Sequence, residues 1–474
     1  MKKSPRAHTK IVATVSDKLS TSTLTAIFKA GVQVARLNIA HLDLATTVEM
    51  IAQIRSISED IAILLDTKGP EIRTQAMDDL ALQKGDHIVM SGVFKEVDNL
   101  PLVQVNHIDF VADVALDATI FIDDAAIELK VIAKNSNHLI CEVQNTGKIQ
   151  GNKSVNVPGA HLNLPSLSER DKEFLKLAAE QKIDFIAHSF VRSRQDVLDV
   201  KNELSSWGND EIKIIAKIEN QQGVENLEEI LDDAYGILIA RGDLGVEIPP
   251  EEVPLMQKLM IKTCIRRVKP VIVATQMLES MIHNPRPTRA EISDVANAIF
   301  DGADAVMLSG ETAYGKYPVE AVQMMVRIAH SVESERQSVV RRVHGGFAPM
   351  ARHYIAKLAI QAATDLKVKA VVIPSRTGQT VLEAATYHQE KPIYAMCYNP
   401  TLRRQLNLSY GVYPYMIAKC EGSEIVSCSI SLLRNQKQVE SEDLVVLVLN
   451  SFGAPDGEYN QLHLNLVKNF IDRS

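Results

Sequence analysis

The chain has 474 residues, of which 46% are apolar and 23% are charged, and its formal net charge is -8. A chain of this length folds as roughly two to four domains, and this composition excludes a disordered polyanion and a basic nucleic-acid-binding protein. The five cysteines lack the CxxC spacing of a zinc site, and no segment reaches the roughly 20 apolar residues of a membrane span. We therefore expect a cytoplasmic protein without nucleic-acid or membrane partners.

Short apolar segments, each followed by a helical stretch, recur along the chain. Eight of them are interpreted as strands: KIVATV, VARLNIA, IAILLDT, DFIAHSF, IKIIAKI, GILIARG, VIVATQM and AVMLSGE. Strands that are apolar throughout are typical of parallel sheets covered on both faces. Eight such strand and helix units predict an α/β fold built on a (β/α)8 TIM barrel, whose reactive groups lie at the C-terminal ends of the strands.

The third and fourth of these segments are separated by residues 71–160, which contain several short strand patterns such as DHIVM and HLICEV. A structureless loop of that length is uncommon inside a compact domain. We therefore predict an inserted cap, a small β-barrel lying over the mouth of the main barrel. The main barrel then comprises residues 1–70 and 161–334, and a separate C-terminal α/β domain comprises residues 335–474.

Polar and charged side chains follow nearly every predicted barrel strand. In chain order they are Arg36, Asn38, His41, Asp66, Thr67, Lys68, Arg73, Ser189, Lys217, Glu219, Arg241, Asp243, Thr275, Ser309 and Glu311. One lysine or glutamate at a strand end is ordinarily a solvated rim charge or a member of an ion pair. Such groups at almost every strand terminus of one barrel end indicate together an enzyme that handles an anion.

Three kinds of chemistry are represented at these strand ends. Glu219 and Asp243 follow neighbouring strands and offer hard oxygen ligands, which favour Mg²⁺ or Mn²⁺ over zinc. In ARGDLG a helix begins near Asp243, so the backbone amides of Gly242 and Asp243 suit a carboxylate or a phosphate, although aspartate is also a common N-cap. Arg36, Arg73 and Lys217 supply the fixed positive charge that phosphoryl transfer requires.

Eleven motifs occur together in one order: TKIVAT, VARLNIAH, LLDTKGPEIRT, IDD, KSVNVPG, LPSLSERD, KIIAKIENQQGVEN, ARGDLGVEIP, VATQMLESMI, NPRPTRAE and DAVMLSGETAYGKYPVEAV. As a set they resemble the pyruvate kinase family over roughly residues 8–334, and the resemblance weakens in the C-terminal domain. It implies phosphoryl transfer from phosphoenolpyruvate to ADP, giving pyruvate and ATP in the final step of glycolysis. It also implies a homotetramer assembled through barrel and C-terminal domain surfaces.

The resemblance implies a role for most of the strand-end residues. The catalytic residues it implies are Lys217, Thr275, Ser309 and Arg36, with Lys217 neutralising the phosphoryl group in flight and Thr275 with Ser309 delivering the proton. The substrate contacts it implies are Lys217, Gly242, Asp243, Thr275 and Ser189. The nucleotide contacts it implies are Arg36, Asn38, His41, Arg73 and Lys153, with Lys153 arriving on the cap. Closure of the cap would then expel water and complete the site.

The resemblance also implies two cation sites. Their ligands are Glu219 and Asp243 for Mg²⁺ or Mn²⁺, and Asn38, Asp66 and Thr67 for K⁺. Ala40 stands where the family usually has a serine, so one hydroxyl ligand for potassium is missing. Glu71 nevertheless matches the acidic residue of potassium-dependent members, and we expect potassium dependence with weakened affinity. The family's TIGP turn, whose proline helps to line the nucleotide pocket, is TVSD here. The preference for the nucleotide base is therefore open, and ADP is the default acceptor.

The C-terminal segment PSRTGQT resembles a loop that grips an effector phosphate. Its implied contacts are Ser375, Thr377, Gly378 and Thr380. The alternative is an ordinary glycine-containing turn between a strand and a helix. In the family's second effector segment, which is NSFGAPDGEYNQL here, Asp456 and Glu458 would repel a second phosphate. A monophosphorylated sugar and no effector at all therefore stay equally open.

Two other functions are compatible with parts of the pattern. One is a lyase or aldolase that uses phosphoenolpyruvate or pyruvate on a barrel of the same kind. Lys153 on the cap, with Arg36 and Arg73 left over for a second phosphate chain, disfavours it. The other is a non-catalytic ligand sensor, which the complete set of strand-end residues disfavours.

Overall fold

The computed structural model describes residues 7–93, 100–335, 351–418, 420, 424–450 and 459–471. The chain begins with strands and helices that alternate, as the apolar segments predicted. Their bounds are β1 Lys10–Thr14, α1 Thr21–Ala30, β2 Val34–Asn38, α2 Leu44–Ile57 and β3 Ala62–Asp66. Both helices start at a side-chain cap, because Ser20 accepts a hydrogen bond from the amide of Thr23 and Asp43 from that of Thr46.

The inserted region follows β3 and consists mainly of short strands. The bounds are β4 Leu80–Leu82, β5 His87–Ser91, β6 Leu102–Gln104, α3 Phe110–Asp113, β7 Thr119–Ile122, β8 Ile127–Lys134, β9 Leu139–Val143, β10 Gly147–Ile149 and β11 Val155–Asn156. They form a six-stranded sheet in the order β11-β7-β8-β9-β5-β6 and a separate pair β10-β4. Residues 72–75 connect the two outer strands of this sheet, since Arg73 pairs with Ser154 beside β11 and Thr74 with Val105 beside β6, which agrees with the predicted small β-barrel.

The barrel resumes after the cap. The bounds are α4 Glu169–Glu180, β12 Phe185–His188, α5 Arg194–Ser206, β13 Lys213–Ile218, α6 Gln221–Glu225, α7 Leu227–Asp233, β14 Gly236–Ala240, α8 Arg241–Glu247, α9 Val253–Arg267, β15 Val271–Ala274, α10 Arg289–Asp301, β16 Ala305–Leu308, α11 Gly310–Ala313 and α12 Pro318–Glu335. Two short 3-10 helices lie at Pro250–Glu252 and Glu279–Ile282. The eight parallel strands close in the order β1-β16-β15-β14-β13-β12-β3-β2, which confirms the predicted barrel.

Alternation along each strand decides which side chains reach the barrel interior. In β13, Ile215 packs inside the barrel, whereas Ile214 and Ala216 pack outward against the helices. Both faces are dry, which is why the strands are apolar throughout. The same period of two places Lys217 and Glu219 on the inward face at the strand's C-terminal end.

The C-terminal domain has a second sheet. Its bounds are α13 Ala351–Asp365, β17 Ala370–Ser375, α14 Gln379–Ala385, β18 Ile393–Cys397, α15 Pro400–Gln405, a 3-10 turn Leu406–Leu408, β19 Val412–Met416, α16 Glu424–Asn435, β20 Leu444–Asn450, β21 Tyr459–Leu466 and α17 Val467–Ile471. The strand order is β19-β18-β17-β20-β21, and the pairs are parallel except for β20 with β21. None of the helices in the described ranges could cross a lipid bilayer.

This domain covers the N-terminal end of the barrel. The fully buried side chain of Leu408 belongs to the barrel's interior core. Nearby, Lys10 Nζ donates to the carbonyl of Val412 at 2.5 Å, and Arg404 Nε pairs with Asp184 Oδ1 at 2.7 Å. The polar strand ends therefore lie at the opposite end of the barrel, beneath the cap.

Candidate active site

One buried ammonium group stands at the centre of the barrel mouth. Lys217 Nζ lies 2.8 Å from Ser189 Oγ, 3.1 Å from Asp66 Oδ1 and 2.9 Å from Glu219 Oε1. An ammonium group has three donors, and these three oxygens use all of them. Four residues that the sequence predicted as site residues, from the ends of three different strands, are thus brought together around this ammonium group.

Asp66 lies between two cations of this cluster and pairs with both. Its side chain is 1% exposed, and its Oδ2 accepts from Arg36 Nε at 2.6 Å while its Oδ1 faces Lys217. Burial alone would raise the pKa of Asp66, but Arg36 and Lys217 outweigh burial and hold the pKa below its ordinary value. Burial lowers the pKa of Lys217, whereas Asp66 and Glu219 raise it, with a net increase. Asp66 and Lys217 therefore stay ionised together at neutral pH.

A threonine on the first strand orients the arginine, and the sequence reasoning missed it as a site residue. Arg36 Nη1 donates to Thr14 Oγ1 at 2.9 Å, and that hydroxyl donates to the carbonyl of Leu308 at 3.0 Å. Thr14 lies two residues after Val12, which packs inside the barrel. The alternation of β1 was therefore the signal that could have identified Thr14.

Two carboxylates compete for the single charge of Lys217. Glu219 is 2% exposed and accepts from the amide of Phe190 at 2.7 Å, and burial raises its pKa to about 7. The carboxylate of Asp243 is in hydrogen-bonding contact with Glu219, and burial raises the pKa of Asp243 as well. The pair thus carries more negative charge than its surroundings compensate.

This excess charge suits a divalent cation. Within the described ranges no group of three or more His, Cys, Asp or Glu side chains forms a metal cage. Mg²⁺ seldom needs one, because proteins usually hold it by one or two carboxylates and leave the other positions to water or substrate oxygens. Glu219 and Asp243 therefore fit Mg²⁺ or Mn²⁺, and the absence of thiolate or imidazole donors disfavours zinc.

The predicted potassium ligands are near one another but already engaged. Asn38 and Asp66 are register partners across β2 and β3, and Asn38 Oδ1 accepts from the amide of Ala40 at 3.1 Å. Thr67 Oγ1 accepts from the amide of Ser189 at 3.0 Å. These oxygens match what an alkali cation binds, but the charge of Asp66 is already balanced. The set fits a weakly held monovalent cation better than a divalent one.

Thr275 stands at the end of β15 in an unusual backbone conformation. Its φ is 66° and that of Gln276 is 53°, both in the left-handed region, where a β-branched residue is strained. Its hydroxyl accepts from the amide of Gly242 at 2.8 Å and donates to the carbonyl of Ala274 at 2.6 Å. The amide of Gly242, predicted for an anion, is thus engaged by Thr275, while Asp243 offers the next amide of the helix.

Ser309 ends the eighth strand beside a buried carboxylate. The amides of Ser309 and Leu278 donate to the two oxygens of Glu311 at 2.7 and 3.0 Å. Glu311 is 3% exposed, and burial raises its pKa. Glu311 therefore ties together the loops that follow β15 and β16, which carry Thr275 and Ser309.

The predicted nucleotide contacts on the cap side do not touch the Lys217 cluster. Arg73 pairs with Glu71 and donates through Nη1 to the carbonyl of Asn152 at 2.7 Å. Lys153 Nζ pairs with Asp123 Oδ1 at 3.1 Å. A separate hydrogen bond joins the cap to the barrel at α8, since the side-chain amide of Asn156 donates to Glu247 Oε1 at 2.8 Å. His41 is exposed at the mouth.

The predicted effector loop is a tight turn before α14. Ser375 Oγ accepts from the amide of Gly378 at 2.9 Å, and Gly378 has φ of 83°. Thr380 Oγ1 is buried without a hydrogen-bond partner, whereas Thr377 is exposed. Residues Asp456 and Glu458 of the second effector segment lie outside the described residues.

Comparison with known proteins covers both parts of the chain. A family model described as pyruvate kinase, barrel domain, matches residues 6–322, and one described as pyruvate kinase, alpha/beta domain, matches residues 353–464. A curated pyruvate kinase of Borreliella burgdorferi is 45% identical over 446 residues, which is 93% of each chain. The pyruvate kinase of Geobacillus stearothermophilus is 43% identical over 97% of this chain and 80% of its own length. The pyruvate kinase of Clostridium acetobutylicum is 39% identical over 97% of this chain and 99% of its own length. The similarity thus includes the C-terminal domain, where the motif resemblance is weaker.

Proposed function

The chain belongs to the pyruvate kinase family, and we propose that it transfers the phosphoryl group of phosphoenolpyruvate to ADP and protonates the resulting enolate to pyruvate. The observation that carries this proposal is the buried ammonium of Lys217 held between Asp66, Ser189 and Glu219. It is a fixed positive charge at the open end of a barrel, where an anionic group in transfer can reach it.

In the proposed reaction Lys217 binds the phosphoryl group. Incoming phosphoryl oxygens compete with Ser189, Asp66 and Glu219 for its three protons. The ammonium is already oriented and needs little rearrangement when charge moves, which is the source of electrostatic stabilisation in a preorganised site. Arg36, locked between Asp66 and Thr14, adds a second fixed charge toward the nucleotide.

We propose that Glu219 and Asp243 hold Mg²⁺ or Mn²⁺, because their negative charge exceeds the charge that Lys217 compensates. A bound divalent ion supplies Lewis-acid polarisation of substrate oxygens. We further propose K⁺ at Asn38, Asp66 and Thr67. Activity that is unchanged when potassium is replaced by tetramethylammonium would remove the potassium proposal and leave the magnesium proposal standing.

We propose that Thr275, with Ser309, delivers the proton to the enolate. The hydroxyl of Thr275 donates to the carbonyl of Ala274 in the absence of substrate. A hydroxyl has one proton, so Thr275 must turn away from that carbonyl to serve the substrate, directly or through water. Ser309 lies at the end of the neighbouring strand β16 and belongs to the same mouth.

For the nucleotide we propose contacts with Arg36, Asn38, His41, Arg73 and Lys153. Arg73 pairs with Glu71 and Lys153 with Asp123, and the phosphate chain of ADP could displace these two carboxylates. Closure of the cap would then bring two cations toward the Lys217 cluster and expel water from it. The hydrogen bond from Asn156 to Glu247 supports a cap that lies against the barrel mouth.

The test is pyruvate formation from phosphoenolpyruvate and ADP with magnesium and potassium, comparing the native chain with Lys217→Met. We expect the variant to lose at least about 10²–10³-fold in kcat while it still binds phosphoenolpyruvate. Lys172→Met is the matched control, because Lys172 forms only an exposed pair with Glu169. A native chain that forms no pyruvate with ADP, GDP or any other nucleoside diphosphate would return the barrel to the lyase or sensor alternatives.

By the same family membership we propose a homotetramer in the cytoplasm and an effector site at Ser375, Thr377, Gly378 and Thr380. The buried, unbonded hydroxyl of Thr380 supports an anion at this turn. Sugar phosphates that stabilise the chain against heat no more than inorganic phosphate does would remove the effector proposal. Sedimentation at several concentrations tests the tetramer.

A further inference from the structure

Arg241, the first residue of α8, is 9% exposed, and its guanidinium faces the end of the neighbouring strand β15. Its Nη2 donates to the carbonyl of Thr275 at 2.7 Å and to that of Gln276 at 3.5 Å, and its Nε donates to the carbonyl of Ala274 at 3.3 Å. One side chain therefore contacts three consecutive peptide carbonyls.

Three consecutive carbonyls cannot face one group in a regular strand, because successive carbonyls of extended backbone point in opposite directions. They converge here because Thr275 and Gln276 both adopt positive φ, 66° and 53°. Neither residue is a glycine, so this conformation must be maintained by its surroundings. The hydrogen bonds from the guanidinium of Arg241 to these carbonyls stabilise this conformation.

The donors of Arg241 are fully used by the protein. Besides the carbonyls, Nη1 donates to Asp294 Oδ1 at 2.7 Å and to Gln257 Oε1 at 3.4 Å, and Nη2 lies 3.1 Å from Met277 Sδ. A guanidinium has five N–H groups in a fixed planar fork. With all of them directed to protein atoms, Arg241 has no donor left for a substrate phosphate or carboxylate.

The next residue of the same helix holds the hydroxyl. The amide of Gly242 donates to Thr275 Oγ1 at 2.8 Å. Two consecutive residues of α8 thus fix both the backbone and the side chain of Thr275. We propose that Arg241 is a positioning residue for protonation of the enolate, an inference that rests on the proposed function because it assigns Arg241 to the residue that delivers the proton.

The protonation step can be measured separately from phosphoryl transfer by running it in reverse, as the enolisation of pyruvate. When pyruvate is enolised, a C3–H bond breaks, its electron pair forms the C2–C3 double bond of the enolate, and the proton passes to the enzyme. In D₂O the return step forms a C3–D bond, so loss of the methyl proton NMR signal reports this step alone. The probe is pyruvate with magnesium, potassium and ATP.

The variants are Arg241→Met and Arg241→Lys, with Arg55→Met as the matched control. Arg55 also donates to a carbonyl, that of Ile61 at 2.7 Å, and to a carboxylate, Asp184 at 2.9 Å, but it lies at the other end of the barrel. We expect Arg241→Met to lose about 10²-fold in kcat and in C3 exchange, because a displacement of about 1 Å costs roughly that much. KM for phosphoenolpyruvate should change less, and Arg241→Lys should recover part of the loss.

The inference is overturned if C3 exchange falls no further in Arg241→Met than in Arg55→Met, or if only KM changes. Should Arg241→Met not fold, the same comparison is made with Arg241→Lys. A native chain without pyruvate formation would refute the proposed function instead, and the positioning claim would then be decided by a crystal structure of Arg241→Lys. Thr275 retaining its positive φ and its bond to Gly242 there would overturn the claim, and its return to extended backbone would support it.

Discussion

The substitution Asp66→Asn removes one negative charge from between two buried cations. Asp66 is 1% exposed, and the side chains of its partners Arg36 and Lys217 are 11% and 12% exposed. Water therefore cannot replace the lost counter-charge, and removal of one partner from a buried ion pair costs about 3–5 kcal/mol. Because 1 kcal/mol corresponds to roughly 2–4 °C for a domain of 150–250 residues, we expect the melting temperature to fall by roughly 6–20 °C.

The chain contains a matched control for burial. Asp233 is also shared by an arginine and a lysine, since Arg194 Nε contacts one of its oxygens and Lys201 Nζ the other. Those cations are 52% and 42% exposed. Exposed pairs contribute about 0–1 kcal/mol, so Asp233→Asn should lower the melting temperature by less than about 4 °C.

The assay is thermal unfolding of the two variants and the native chain at one scan rate, with and without inorganic phosphate. Phosphate can take the place of the lost carboxylate next to Arg36 and Lys217, so it should stabilise Asp66→Asn more than it stabilises the native chain. Equal melting shifts for Asp66→Asn and Asp233→Asn, or no greater response to phosphate, would refute the reasoning that burial sets the value of this charge.

Three further substitutions test other parts of the structure. Leu408→Ala opens a cavity in the barrel core and should cost about 2–5 kcal/mol in chemical unfolding while kcat stays native. Burial lowers the pKa of Lys269 from 10.5 to about 8. Between these two pH values the unfolded chain holds a proton that the folded chain lacks, so the free energy of unfolding rises with pH. Lys269→Met should remove that rise, as measured by thermal unfolding from pH 7.5 to 10.5. Asn156→Ala removes the bond to Glu247 and should weaken docking of the cap by about 1 kcal/mol, seen as faster hydrogen exchange at β11, with unchanged exchange in β17 as its control.

Much of the fold and of the central cluster could be predicted from the chain. Fully apolar segments identified all eight barrel strands, and the polar residues that follow them included Lys217, Asp66, Ser189 and Glu219, which the structure brings into contact. This works because strand alternation and barrel closure determine where inward side chains meet. Thr14 was missed because a threonine in a strand is common.

Other features had no signal in the residue pattern. The left-handed conformation of Thr275 depends on a guanidinium from another strand-to-helix turn, and a β-branched residue gives no hint of it. The sequence placed Arg241 among the strand-end charges but could not tell that its donors face protein carbonyls. The cap strands were predicted, but the bridges of Arg73 with Ser154 and of Thr74 with Val105, which connect its outer strands, join residues far apart in sequence.

Because Leu408 closes the N-terminal end of the barrel core, that core can be completed only late in translation. At roughly 5–20 residues per second, the last barrel strand, Ala305–Leu308, emerges from the ribosome several seconds before Leu408 does. During that interval the nascent barrel has its full set of strands but an open floor beneath Phe185 and Tyr235. The barrel is therefore synthesised before the residue that completes its core. A stalled or truncated product would leave Phe185 and Tyr235 exposed to chaperones and to other nascent chains.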